Sequence, residues 1–64
     1  MRFTVIKTIS KNEAVIIAEQ RTENDLTRLA NYYYGHNDYV KESYVVRDNK
    51  FGGHYPLDTW RTIE

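Results

Sequence analysis

From Met1 to Ile9 the side chains alternate, with Phe3, Val5 and Ile9 on one side and Arg2, Thr4, Ile6 and Thr8 on the other. That is the period of a half-buried strand. Ser10-Lys11-Asn12-Glu13 interrupts it with a polar, turn-forming stretch, and Val15-Ile16-Ile17 then places three β-branched residues side by side. Branching at Cβ suits a pleated sheet better than a helix, so the pattern predicts a β-hairpin. A helix is the competing reading for the second arm, because Ser10 and Glu13 have capping-box spacing and Ala14, Ile17 and Ala18 share one helical face.

The next segment changes period. Thr22 and Asp25 stand at capping-box spacing, and Glu23 and Asp25 put negative charge in a first turn, where the helix dipole favours it. Leu26, Leu29, Ala30 and Tyr33 then recur at i, i+3, i+4 and i+7, one buried stripe. Gly35 offers a residue able to close the helix in the left-handed conformation. The prediction is a helix from Glu23 to Tyr34. At about 100° per residue, Tyr33 points into the core while Tyr32 and Tyr34 fall to either side of the stripe.

After polar His36-Asn37-Asp38, residues Tyr39 to Arg47 read as a strand, with Val40, Glu42, Tyr44 and Val46 on one face and Tyr39, Val45 and Arg47 on the other. Glu42 is expected to reach water from an edge position. Asp48-Asn49-Lys50 turns, and Phe51-Gly52-Gly53-His54-Tyr55-Pro56 is too rich in Gly and Pro for a regular central strand. Thr59 to Ile63 is expected to supply a last edge strand. The predicted fold is a single α+β domain of order ββαβ(β), an antiparallel sheet with one helix on one face; the alternative is β-α-α-β.

A chain of 64 residues buries only about 60% of the surface its unfolded form exposes, so the interior is small. With no cysteine and only two histidines, His36 and His54, neither a disulfide nor a zinc site is expected to staple it. Absence of cysteine suits a reducing compartment, and the expected location is cytoplasmic. Charge is balanced at nine against nine, five of each sign in residues 1–38 and four of each in residues 39–64. Balanced, unsegregated charge argues against wrapping of duplex nucleic acid, and it lacks the acidic excess of a DNA mimic. The longest apolar run, Ala14 to Ala18, is far short of the ~20 residues that cross a bilayer, and no basic-then-apolar leader is seen, so no membrane association is expected.

Catalytic chemistry has little to stand on. His36, Asp38, Asp48, His54 and Asp58 are read as turn and helix-end residues, and no nucleophile elbow, phosphate loop, metal-binding helix or carboxylate pair is present. No enzymatic activity, metal or cofactor is expected. The aromatic excess points elsewhere: six Tyr, two Phe and one Trp in so short a chain are more rings than the interior can hold. Tyrosine offers a large rigid contact area and a hydroxyl at low entropic cost, which makes it frequent at binding hot spots.

The expected function is therefore a protein-binding module, an adaptor or inhibitor, gripping a partner protein or its own copy as a dimer. Its contact residues are expected to be Tyr32, Tyr34, Tyr39, Arg47, Phe51, Tyr55, Trp60 and Arg61. The alternative is a single-stranded nucleic-acid binder that stacks bases on Tyr39, Tyr44 and Trp60 with Arg47, Lys50 and Arg61 on phosphates. In general style, a very short cysteine-free chain with a capped helix and many tyrosines is similar to small proteins of phages and mobile elements, a likeness that implies an inhibitor.

Overall fold

β1 (Phe3–Ser10) and β2 (Glu13–Gln20) pair antiparallel across a tight turn, so the hairpin, not the helix, forms over the second arm. The computed structural model describes residues 1–62. Helix α1 (Glu23–Tyr34) follows, then β3 (Tyr44–Asp48) and a short β4 (His54–Pro56). The four strands lie in the order β2-β1-β3-β4, antiparallel throughout, with β2 and β4 at the edges. This is the ββαβ(β) arrangement, and α1 packs on one face of the sheet.

The helix begins as its sequence dictates. The Thr22 hydroxyl oxygen accepts the Asp25 amide at 3.1 Å and its proton is donated to the Asp25 carboxylate at 2.9 Å, which satisfies one orphan amide and fixes the first turn. Leu26 and Ala30 are fully buried, and Leu29 and Tyr33 pack beside them. With Phe3, Val5, Tyr44, Val46 and Leu57 they make one core between helix and sheet.

The helix ends differently from expectation. Gly35 lies at φ −78° and ψ −6°, in the right-handed region, and its amide reaches the Asn31 carbonyl at 3.3 Å while that of His36 reaches Tyr33 at 3.0 Å. The last turn tightens to an i→i+3 bond instead of reversing hand. A Cβ added at Gly35 would meet only ordinary contacts at 3.6 Å, so no glycine is required there.

Three other expectations are corrected. Ile9 does not share the face of Phe3 and Val5. Thr8 pairs with Ala14 and Ser10 with Glu13, so Ile9 is an extra residue that breaks the alternation, and it is exposed. The third strand starts at Tyr44, not Tyr39, because Lys41–Ser43 forms a 3₁₀ turn, closed by the Ser43 amide on the Val40 carbonyl at 3.0 Å. Val40 and Glu42 consequently face water. Finally, the edge strand is His54–Pro56 instead of Thr59 to Ile63: Leu57–Trp60 forms a 3₁₀ turn that buries Leu57 in the core. Ile63 lies outside the described residues.

The turn from β3 to β4 is organised by Asp48. Its carboxylate accepts the Lys50 amide at 2.9 Å, the Phe51 amide at 3.1 Å and the Arg2 guanidinium at 3.3 Å. Gly52 and Gly53 have φ of 81° and 94°, a region that residues with a Cβ rarely enter, and a Cβ on Gly53 would also strike the Tyr55 ring. Burial of Asp48 raises the pKa of its carboxyl, but the Phe51 and Lys50 amides and Arg2 outweigh it, so the carboxyl titrates below its ordinary range.

Candidate functional site

The tyrosine triplet ends the helix, and the helix turn splits it as the spacing predicts. Tyr33 turns inward and packs on Tyr44 with ring centroids 5.3 Å apart, while Tyr32 and Tyr34 remain exposed on either flank. Tyr32 stands edge-on to Tyr33 at 5.2 Å and to His36 at 4.5 Å. The His36 ring nitrogen Nδ1 lies 2.8 Å from the Tyr32 carbonyl oxygen, a contact that requires the Nδ1–H form.

On the other flank Tyr34 is held from two sides. The Arg61 guanidinium carbon sits 4.0 Å from its ring centroid, and the Tyr39 ring lies 5.4 Å away. A guanidinium over a tyrosine face is an attractive cation–π contact. Arg61 is placed by the chain beside it: the Thr62 amide donates to Asn31 Oδ1 at 2.9 Å, and Asn31 Nδ2 returns a bond to the Thr62 hydroxyl at 3.1 Å. That reciprocal pair straps the segment after Leu57–Trp60 to the helix. Tyr39 in turn stacks on Tyr44 at 4.9 Å, so Tyr34 is the outer member of a run of rings anchored in the core.

The Tyr39 hydroxyl is buried beside the Asp58 backbone amide, which reaches it with poor hydrogen-bond geometry. Burial first, and the nearby Asp58 carboxylate second, push its pKa above the ordinary tyrosine value, so it stays a neutral phenol.

The eight residues expected to form one contact surface are thus divided. Tyr34, Tyr39 and Arg61 come together. Tyr55 and Trp60 form a second pair, edge-on at 6.1 Å, and Trp60 packs on Phe3 at 5.7 Å while its indole N–H donates to Glu23 at 3.2 Å. Trp60 is a lid on the core more than a surface ring. Tyr32 stands alone with His36 across the helix. Phe51, the most exposed large apolar side chain among the described residues, sits at the β3–β4 turn with the Arg2 and Lys50 cations 5.2 and 5.1 Å from its ring. The whole of β3, about 14 Å at the rise of a strand, separates that turn from Tyr44. Arg47 lies on the other side of the sheet and donates through Nε to Asn49 Oδ1 at 2.9 Å.

Tyr33 and Tyr44 were not among those eight, yet they carry Tyr32 and Tyr39 and give the site its rigidity; the i+7 position of Tyr33 in the helix stripe is the signal for that role. Among the described residues no group of three His, Cys, Asp or Glu side chains could hold a metal ion, and no helix is long and apolar enough to cross a membrane. A cleft of about 260 Å³ opens beside Val45, Tyr55 and Pro56, just below the ~300–1,000 Å³ of small-molecule sites. No family model matches this chain, no curated protein matches it in sequence, and no solved structure matches its fold.

Proposed function

We propose that the protein is a protein-binding module, an adaptor or inhibitor, whose contact surface is the end of the helix, formed by Tyr34 with Arg61 and Tyr39. One observation carries the reading. Tyr34 is 44% exposed and yet held between a guanidinium and a second ring, so the rotamer entropy that binding would cost is already spent. Tyrosine and arginine are the residue types that dominate interface hot spots, and a ring fixed before contact makes a stronger anchor than a free one.

The stacking alternative finds less support. Tyr44 is only 3% exposed, Tyr39 is partly buried between Tyr34 and Tyr44, and Trp60 covers the core, so the three rings suggested as base platforms show little face to solvent.

The test is affinity capture from the native cell, run with the wild-type chain and with Tyr34→Ala. Loss of the captured protein from the variant, at unchanged melting temperature, is the expected result. Equal capture by both would remove Tyr34 from the contact. Binding of an oligonucleotide that weakens steeply with salt would instead favour the nucleic-acid reading.

A further inference from the structure

The helix and Leu57–Trp60 cover one face of the sheet; among the described residues the other, bare face carries no helix, only the Asn49 side chain over Thr4, and its side chains are ordered in rows. Ile16 pairs with Ile6, Ile6 with Val45 and Val45 with Pro56, so one apolar row crosses all four strands. The row beside it is Glu19, Thr4, Arg47 and His54, again one residue from each strand. Ile17 is the extra residue of β2 between the Ala18 and Ile16 pairings; it packs on the core with Ala18, which leaves Ile16 on the bare face, 61% exposed.

We infer that this bare face binds a second copy of the same chain, sheet against sheet, about a two-fold axis parallel to the strands between β1 and β3. The order of charges selects that occupant and that axis. Such a rotation lays β2 over β4 of the other copy and β1 over β3. Ile16 then meets Pro56, and Ile6 meets Val45. In the neighbouring row Glu19 meets His54 and Thr4 meets Arg47, so the Glu19 carboxylate of each copy lies one strand from the Arg47 guanidinium of the other. The symmetric contact repeats every pairing twice.

The cleft of about 260 Å³ lies at the β4 end of the apolar row, where Val45 and Pro56 of this face meet Tyr44 and Tyr55 of the covered one. Ile16 of the second copy comes down beside it, on Pro56. The molecule measures 29 × 28 × 15 Å, and its thin dimension accommodates a sheet and one covering layer about 10 Å away. The helix end with Tyr34 takes no part, so a dimer would present two copies of it.

Sedimentation equilibrium of the purified chain and of two variants tests the proposal. The wild type is expected to be a dimer that dissociates on dilution. Ile16→Lys and Pro56→Lys, on opposite edges of the sheet, should each raise the dissociation constant roughly 100-fold or more, because each removes two symmetric apolar contacts. Their circular dichroism and melting should remain those of a folded chain, since both sites are exposed. A wild type that stays monomeric up to about 1 mM would overturn the inference. So would a dimer broken by Ile16→Lys but indifferent to Pro56→Lys, which would place the contact along the β2 edge. Tyr34→Ala should leave the dimer intact, which keeps this result distinct from the test of the helix end.

Discussion

The two faces of the sheet are built from the same four strands and do opposite work. The helix side gathers Phe3, Val5, Tyr44 and Val46 under Leu26, Ala30 and Leu57, every one of them buried. The bare side alternates with them along the same strands, and only Thr4 on it is closed from water, beneath Asn49, whose amide donates to it at 2.8 Å, and beside Glu19, to which it donates at 3.3 Å. In so small a chain one layer of helix is all the chain can supply, so one face receives the stabilising burial and the other is left for contact with something else. The aromatic excess follows the same division. Phe3, Tyr33, Tyr39, Tyr44 and Trp60 join or border the core, and Tyr32, Tyr34, Phe51 and Tyr55 are exposed around its margin.

Substitutions on the two sides should separate these roles. Leu26→Ala opens a cavity at a fully buried position and is expected to cost about 2–5 kcal/mol, enough to unfold much of the population; thermal melting of the variant checks it, and an unchanged midpoint would refute the core assigned to the helix side. Leu29, only partly buried, should fall at the lower end of that range. Thr4→Val removes the hydroxyl that serves Asn49 and Glu19, and the expected cost is about 1 kcal/mol by denaturant titration. Ile16→Lys should shift the stability of the dissociated chain by no more than about 0.5 kcal/mol, as surface changes do.

Acid provides a sharper probe at the end of the sheet. The carboxyl of Asp48 titrates below 3.8, its ordinary value, in the folded chain, so it takes up its proton less readily there than in the unfolded chain. Its stabilising contribution is therefore complete above about that ordinary value and is lost as the pH falls through the lower folded one. Asp48→Asn should flatten this part of the stability curve while leaving the neutral-pH fold in place, measured by melting at stepped pH. An acid limb as steep in the variant as in the wild type would show that other carboxylates carry the dependence.

Much of the covered side was legible in the sequence. Thr22 with Asp25 marks the helix start, the Leu26-Leu29-Ala30-Tyr33 spacing marks its buried stripe, and Val15-Ile16-Ile17 marks the second arm of the hairpin. The bare side was not legible, for a physical reason. Ile9 and Ile17 are extra residues in their strands, and each reverses the in-and-out order that simple alternation implies, so which isoleucine meets water depends on register. The third strand looked longer than it is because Tyr39 is packed against the core from a turn, where a two-residue period says nothing about burial. Arg47 and Phe51 were grouped with Tyr34 by composition, while β3 carries Phe51 to the far end of the sheet and turns Arg47 to the opposite side.

The irregular pairing of β2 has one more consequence. Its outer rim is eight residues long, rich in branched aliphatics and without lysine or proline, the kind of rim on which further chains can add indefinitely. A strand kinked in its middle offers a poor template for such growth, because an incoming backbone cannot stay in step across the kink. The same single inserted residue that turns Ile16 outward would thus favour closed pairs over open-ended fibres.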